Sequence, residues 1–266
     1  MIAFARGKIK NAVEILVGDM VEVEKQGRSY VIEKVLPRKN SLIRPYVANI
    51  DIAIITIALS PKPDYILVDK ILLNCRNCNI KPVLCVNKSD LTTDEFRKEI
   101  EEDYANFCDI IYVSAKYNEN IDEIERLVKD KVVCFCGQSA VGKSSIINRL
   151  LPDASLEVGE LSKKTERGKH TTRTTEIFRL RSGFVVDTCG FTMLENVDIS
   201  ERELQAFYPD FTEASYNCKF RGCEHIHEPE CEVKKLVNEG KISKRRYERY
   251  VQIYGEIKEN RRKKYE

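Results

Sequence analysis

The sequence predicts an α/β fold for the middle of the chain, preceded by a small β module and followed by a mostly helical segment. Apolar strand-like runs alternate with helical patterns from residue 51 to residue 186, which predicts the α/β class. One glycine-rich turn between a strand and a helix predicts a phosphate site within it. Cysteine and histidine residues clustered after position 217 predict a separate metal-binding unit. The expected domains are residues 1–48, 49–196 and 197–266.

The composition is that of a globular protein, with 42% hydrophobic and 32% charged residues in a chain of 266. No apolar run reaches the ~18 residues that span a bilayer, and the N-terminus lacks the pattern of a signal peptide. Ten cysteines in such a chain indicate reduced thiols or metal ligands, so we expect a cytoplasmic, monomeric protein without membrane contact. The net charge of +2 conceals a basic tail, since residues 241–266 hold ten Lys/Arg and four Asp/Glu. This asymmetry favours an anionic partner.

The first 48 residues predict short strands, at Val21–Glu24 and Tyr30–Ile32, joined by a turn. Basic residues recur along the segment, which would suit a small RNA-binding β-barrel of the OB type. A packing module with a solvated charged face explains the same pattern. About three strands are recognisable where an OB fold needs five, so we expect a truncated barrel. The basic residues are Arg6, Lys8, Lys10, Lys34, Arg38, Lys39 and Arg44.

The first nucleotide motif, NKSD, follows the strands Asp51–Leu59 and Pro82–Val86. The Asp90 carboxylate can accept hydrogen bonds from N1–H and the 2-amino group of guanine, whereas adenine offers neither donor. The Lys88 stem can lie along the base, and Asn87 can tie this loop to the phosphate-binding loop. The motif therefore predicts selection of guanine.

The second motif is the turn Ser114-Ala115-Lys116, which ends the strand Ile110–Val113. It lies where a guanine-binding protein requires a backbone N–H for the guanine O6 atom, and Ala115 is the predicted donor.

The third motif, GQSAVGKSS, fits the phosphate-loop pattern G-x-x-x-x-G-K-[ST] between the strand Val132–Cys136 and the helix Ser144–Leu151. Backbone N–H groups and the helix N-terminus would hold a di- or triphosphate. Lys143 would reach the β- and γ-phosphates, and the Ser144 hydroxyl would ligate Mg²⁺. The residues expected to contact nucleotide here are Gly137, Gln138, Ser139, Ala140, Val141, Gly142, Lys143, Ser144 and Ser145.

The fourth motif, DTCG at the end of the strand Phe184–Val186, predicts Asp187 as the ligand of a magnesium-bound water and the Gly190 N–H as the γ-phosphate sensor. The Lys-, Gly- and Thr-rich segment before it offers Thr171 or Thr172 to the magnesium shell. A solvated basic loop is compatible with that role.

A zinc site is predicted by the spacing C-x4-C-x-H-x5-C, formed by Cys218, Cys223, His225 and Cys231. His227 competes with His225 for the nitrogen position. Four protein ligands leave no open position, so the metal would be structural.

The chain from Ser243 onward predicts one helix, with Tyr247, Tyr250, Val251 and Tyr254 on one stripe. Tyrosines among basic residues favour contact with RNA backbone and unstacked bases, and a docked helix with a solvated basic face is the alternative. The basic residues are Lys244, Arg245, Arg249, Arg261, Arg262, Lys263 and Lys264.

The motifs stand in the rotated order N-K-x-D, S-A-K, phosphate loop, D-x-x-G, which resembles the circularly permuted GTPases. With the cysteine–histidine set and the segment GKHTTR at residues 168–173, the chain is similar to the ribosome-small-subunit-dependent GTPase A family (RsgA/YjeQ). The resemblance implies an N-terminal OB fold, a permuted GTPase domain and a C-terminal zinc domain in which His225 is the ligand. It also implies hydrolysis of GTP to GDP with Mg²⁺, binding of 16S rRNA, and a role in late maturation of the 30S subunit. Cys189 stands where the family often has Pro, and the chain begins with fewer strands than usual.

Phe191 follows the D-x-x-G motif where many GTPases carry a Gln that orients water. We therefore expect slow hydrolysis in isolation and stimulation by the ribosomal subunit. The expected catalytic residues are Lys143, Thr171, Thr172 and His170. Of these, His170 is the internal candidate for holding the attacking water. A loop histidine that binds RNA phosphate, or nothing, is the alternative.

The motifs oppose three other functions. An ATP-using enzyme such as a small-molecule kinase is opposed by the NKSD motif. A zinc-containing RNA-binding protein with a regulatory, barely hydrolytic nucleotide site is opposed by the intact Lys143, Ser144 and Asp187. A large-subunit assembly GTPase shares the permuted order, but the zinc set opposes it.

Overall fold

The computed structural model describes residues 3–5, 14–43, 46–151, 177–186 and 199–265. The strands are β1 (Ala3–Ala5), β2 (Val21–Gln26), β3 (Ser29–Val35), β4 (Ser41–Ile43), β5 (Tyr46–Ala48), β6 (Ile52–Ile57), β7 (Lys81–Val86), β8 (Asp109–Tyr112), β9 (Val132–Cys136), β10 (Ile177–Arg179) and β11 (Phe184–Val186). The α-helices are α1 (Tyr65–Asn77), α2 (Asp94–Tyr104), α3 (Ile121–Val128), α4 (Lys143–Leu150), α5 (Glu201–Leu204), α6 (Pro209–Ser215), α7 (Glu232–Asn238) and α8 (Lys244–Tyr265).

A six-stranded sheet forms the centre, in the order β10-β11-β9-β6-β7-β8. All neighbouring pairs are parallel except β10 and β11, which form an antiparallel hairpin. Every residue of β6 is buried, as expected of a strand covered on both faces. The predicted α/β architecture is confirmed. Because parallel strands end at one edge, the segments after β7, β8 and β9 meet there.

The described part of the N-terminal segment forms two sheets, one of the order β1-β3-β2 and one of β4 and β5. The segment before β2 joins the second sheet through a parallel bridge between Val17 and Val47. The strands β2 and β3 match the two predicted strands, whereas β1, β4 and β5 are three residues long and carry little pattern. The OB-type topology stays a prediction.

Basic side chains of this module are partly engaged within the protein. Arg38 forms an ion pair with Asp19 at 2.7 Å, and Lys39 pairs with Asp51 at 2.9 Å. At these two positions a carboxylate therefore offsets the positive charge of the predicted basic surface.

The two faces of the central sheet bury separate apolar clusters. One lies under α3 and α4 and includes Ile124, Phe135 and Ile146. The other lies under α1 and α2 and continues into the C-terminal helices. Among the described residues, no helix is long and apolar enough to cross a membrane.

The C-terminal helix α8 corrects the expectation that its tyrosines contact RNA. Tyr250 is fully buried, Tyr254 is 7% exposed, and their hydroxyls donate to the backbone oxygen and the carboxylate of Glu224. The Tyr247 hydroxyl donates to the backbone oxygen of His225 at 2.8 Å. These rings pack the C-terminal domain together, so they are unavailable for stacking on bases.

The arginines of α8 are also partly internal. Arg249 is buried between α1 and α2, where Nε donates to Asp69 at 2.6 Å and both terminal nitrogens donate to Asp103 at 3.1 Å. Arg245 binds Asp103 as well, at 3.0 Å. This part of α8 is a docked helix, and its charges hold it against the nucleotide domain.

Candidate nucleotide site and metal centre

The phosphate loop, Gly137–Ser145, is a tight turn that requires glycine at two positions. Gly137 has φ = 118°, and an added Cβ would approach the backbone oxygen of Thr56 closer than 3.0 Å. Gly142 has φ = 94°, and its Cβ would collide in the same way with the side-chain nitrogen of Asn87. Both angles lie in the region that glycine adopts without cost. The loop therefore lies directly against β6 and the NKSD segment.

Lys143 begins α4 and turns its side chain back into the loop. Its Nζ donates to the backbone oxygens of Gly137 at 2.7 Å and Gln138 at 2.6 Å. Burial lowers the pKa of this ammonium group from its usual value. The cation thus lies within the loop, and its contact with the phosphates stays a prediction.

Gln138 ties the phosphate loop to the segment before α1. Its side-chain oxygen accepts from the Asp64 N–H at 2.7 Å, and its side-chain nitrogen donates to the Lys62 oxygen at 2.9 Å. Asp64 in turn caps α1 by accepting from the Leu67 N–H. This structural role of the Gln138 side chain is not evident from the loop pattern.

Asn87 and Lys88 connect the NKSD segment to the phosphate loop, as predicted for Asn87. The Asn87 side chain donates to the Val141 oxygen at 2.9 Å. Lys88 has φ = 58°, and its Nζ donates to the oxygens of Ser60 at 2.7 Å and Ala140 at 3.0 Å. These bonds bring two segments more than 50 residues apart into direct contact.

Asp90 faces the 114–119 loop, which contains the S-A-K turn. Its Oδ1 accepts from the Ser114 hydroxyl at 2.7 Å. Ser114 and Glu119 exchange both backbone hydrogen bonds, which closes the base of the loop. The Asp90 carboxylate is therefore held in one orientation beside Ala115 and Lys116.

The Ala115 N–H is the predicted donor to guanine O6. In this structure it donates to the Asn87 side-chain oxygen at 3.2 Å. The side chain that links the two loops therefore accepts from this amide, and the role of the amide toward guanine stays a prediction.

Arg149, near the end of α4, was not identified from the sequence. Its Nε donates to the Ala115 oxygen at 2.9 Å, and its Nη2 donates to the Lys116 oxygen at 3.2 Å. No local pattern marks this residue, because its partners lie more than 30 positions earlier in the chain.

The remaining predicted nucleotide residues divide between described and undescribed segments. Ser144 is half-buried at the start of α4, whereas Ser139 and Ser145 are exposed. His170, Thr171, Thr172, Asp187, Gly190 and Phe191 lie outside the described residues.

The cysteine–histidine set converges in the C-terminal domain, where the ligand atoms of four residues lie within 4.8 Å of one another. His225 contributes Nδ1, which is 3.3 Å from Cys231 Sγ and 3.8 Å from Cys218 Sγ. His227 is exposed and outside the set, so the geometry selects His225. The members are Cys218, Cys223, His225 and Cys231.

The donor chemistry of this set fits zinc, as three sulfurs and one imidazole make a closed tetrahedral site. The Nε2 of His225 lies 2.7 Å from the side-chain oxygen of Gln205, which fixes the ring and leaves Nδ1 for a metal. In the chain alone, burial raises the pKa of the Cys223 thiol to about 12. A bound divalent cation would reverse that shift, because coordination stabilises the thiolate.

Comparison with known proteins gives a consistent result. Residues 35–197 match the family model described as RsgA GTPase. The small ribosomal subunit biogenesis GTPase RsgA of Caldanaerobacter subterraneus subsp. tengcongensis is 43% identical over 272 residues, which cover 98% of this chain and 90% of that protein. The protein of the same name from Bacillus anthracis is 41% identical and covers 95% of this chain and 88% of its own length.

Two solved structures share the fold. YjeQ from Thermotoga maritima superposes with a TM-score of 0.82 at 35% identity, covering 96% of this chain and 89% of that one. YloQ, described as a circularly permuted GTPase, superposes with a TM-score of 0.78 at 32% identity, covering 97% and 86%.

Proposed function

Because this chain belongs to the RsgA GTPase family and is a GTP hydrolase, we propose that it uses GTP in the biogenesis of the small ribosomal subunit, the process named for its relatives. The observation that carries this proposal is the contact between the NKSD segment and the phosphate loop. The Asn87 side chain bonds to Val141, and Lys88 bonds to Ala140. A single nucleotide can therefore span both segments.

In this proposal the base lies between the NKSD segment and the 114–119 loop. The Asp90 carboxylate accepts from N1–H and the 2-amino group of guanine, and Ser114 keeps it oriented. The Ala115 N–H donates to O6 after exchanging its Asn87 partner for the base. The stems of Lys88 and Lys116 cover the ring.

The phosphates lie in the loop 137–145, and Lys143 exchanges its bonds to the Gly137 and Gln138 oxygens for bonds to the β- and γ-phosphates. Backbone N–H groups at the start of α4 add an electropositive environment. Mg²⁺, held by the Ser144 hydroxyl and by Asp187 through water, would supply positive charge at the phosphates.

Hydrolysis in isolation is proposed to be slow. Phe191 offers no hydrogen bond to water, and His170, beside Thr171 and Thr172, is the internal candidate for orienting the attacking molecule. Gly190 would sense the γ-phosphate. The ribosomal subunit would supply the remaining organisation.

The cysteine–histidine set is proposed to hold one structural zinc ion. The ion would hold the segment 218–231 together, because all four ligands lie within it. The His225 ring then packs against Phe211 of α6 and Tyr250 of α8, which also contact each other. The N-terminal OB-type module, residues 1–48, and the exposed basic residues of α8 are proposed to bind 16S rRNA. We also propose that the protein acts in the cytoplasm as a monomer, late in 30S maturation.

The test is GTP turnover by the zinc-loaded chain alone, with purified small subunits, and with large subunits as the control. We expect weak turnover alone and stimulation of at least about tenfold by small subunits only. Equal turnover with both subunits, or none with either, would overturn the proposed partner. The same assay with ATP distinguishes a guanine-specific enzyme from a general nucleotidase.

A further inference from the structure

The helix α4 carries two charged side chains at the nucleotide site, one at each end. Lys143, its first residue, enters the phosphate loop, and Arg149 lies six residues later, about 9 Å along the axis. Arg149 is exposed to solvent on one side and contacts the 114–119 loop on the other. One rigid element therefore touches both the phosphate-side and the base-side segments.

The guanidinium group of Arg149 binds two successive carbonyl oxygens. It donates through Nε to Ala115 at 2.9 Å and through Nη2 to Lys116 at 3.2 Å. A planar fork that grips two neighbouring oxygens fixes the orientation of both peptide groups, which a single ammonium group does not achieve.

The loop that Arg149 grips is supported on its other side by its own base and by the NKSD segment. Its base is closed by the backbone pair of Ser114 and Glu119, and the Tyr117 N–H donates to the Ser114 hydroxyl at 3.3 Å. The Ala115 N–H donates to the Asn87 side chain at 3.2 Å, and Arg149 of α4 holds the carbonyl oxygens of Ala115 and Lys116.

We propose that Arg149 is a positioning residue for guanine recognition, which holds the Ala115–Lys116 backbone so that its amide faces the base. It acts through the loop and does not touch the nucleotide. The inference rests on the proposed guanine site, because the loop must bind the base for its position to matter. Since Arg149 contacts no phosphate-loop residue through these bonds, its effect should be confined to the base.

The test compares two ligands with the intact zinc-loaded chain: GDP, which has a base, and inorganic tripolyphosphate, which has none. Arg149→Met keeps most of the side-chain length and removes the donors. We expect the GDP dissociation constant to rise about tenfold, which corresponds to about 1.4 kcal/mol, while that of tripolyphosphate stays unchanged. Arg149→Lys can reach one oxygen, so its GDP dissociation constant should lie between those of Arg149→Met and the wild type.

Arg126→Met is the matched control, since Arg126 is an exposed arginine of the same domain whose bonds within the described part of the chain go to Asp122 on its own helix, at 2.6 Å. It should bind both ligands like the wild type. Parallel losses for GDP and tripolyphosphate in Arg149→Met would show that Arg149 supports α4 in general and would overturn the inference. Unchanged GDP binding would also overturn it.

The wild-type measurements separate this inference from the proposed function. If the wild type binds ADP as well as GDP, the guanine site itself fails. If it prefers GDP and Arg149→Met retains that preference in full, only the role of Arg149 fails.

Discussion

Gly142 of the phosphate loop illustrates how a single position determines the geometry of the site. Gly142 meets the Asn87 side chain, so the absence of a Cβ is what lets the NKSD segment approach the loop. The same asparagine then bonds to Val141 on one side and Ala115 on the other. A residue without a side chain thus permits the contact on which the proposed site depends.

Replacing Gly142 with alanine should disrupt nucleotide binding. The new Cβ would lie closer than 3.0 Å to the Asn87 nitrogen, in a backbone conformation with φ = 94°. We expect GDP affinity to fall about 100-fold or more, equivalent to about 3 kcal/mol, in an isothermal titration. Gly27→Ala is the control, because Gly27 also has positive φ, at 62°, but an added Cβ meets nothing within 4 Å. If both variants bind GDP alike, the contact between Gly142 and Asn87 does not matter.

At this scale the sequence predicts which residues form the site better than it predicts which hydrogen bonds they make. The roles assigned to Asn87 and Lys143 follow from motifs whose spacing places them at strand and helix ends, and the structure brings both to the loop. The partner of the Ala115 amide and the choice between His225 and His227 were not decided by the residues alone. Both depend on side-chain directions that emerge only when distant segments pack.

At the scale of elements, helix and strand bounds agree with sequence expectations within a few residues. The strand β9 was predicted at its observed limits, and α4 begins and ends one residue before the predicted Ser144–Leu151. Strongly apolar runs and capping residues such as Asp64 specify these elements locally. The three-residue strands β1, β4 and β5 carry too little pattern to be found, and they form only by pairing.

The helix α8 shows why an amphipathic pattern does not identify what the helix packs against. A tyrosine stripe among basic residues fits RNA or a protein core equally well in sequence. Asp69 and Asp103, on α1 and α2, decide the matter by pairing with Arg249. Buried carboxylates without that arginine would carry uncompensated charge, so the nucleotide domain and α8 specify each other.

The C-terminal segment should depend on its metal. Cys231→Ser removes one ligand from the set, and we expect the purified chain to lose its single zinc equivalent by atomic absorption. Residues 199–243 should then exchange amide hydrogens faster, because the short helices there have little core of their own. Cys78→Ser, which changes a half-buried thiol outside the set, should retain the zinc. Equal zinc content in both variants would contradict the assignment.

At the scale of the whole molecule, the permuted order places the base-recognition segments ahead of the phosphate loop in the chain. The sheet reunites them, since β7 and β9 lie on either side of β6 and all three run parallel. Motif order therefore has no effect on which edge the loops share. The family and architecture were predictable from motifs, whereas the ionic contact between domains and the role of Arg149 required the coordinates.

The central claim is that one guanine nucleotide is held by Asp90 and by the phosphate loop together. The most direct test is the binding of GDP and xanthosine diphosphate to the wild type and to Asp90→Asn. An asparagine amide can donate to the 2-oxo group of xanthine and accept from its N1–H, whereas it loses one bond to guanine. We predict that GDP affinity falls about 100-fold and that xanthosine diphosphate becomes the preferred ligand. Unchanged GDP affinity in Asp90→Asn would contradict the account.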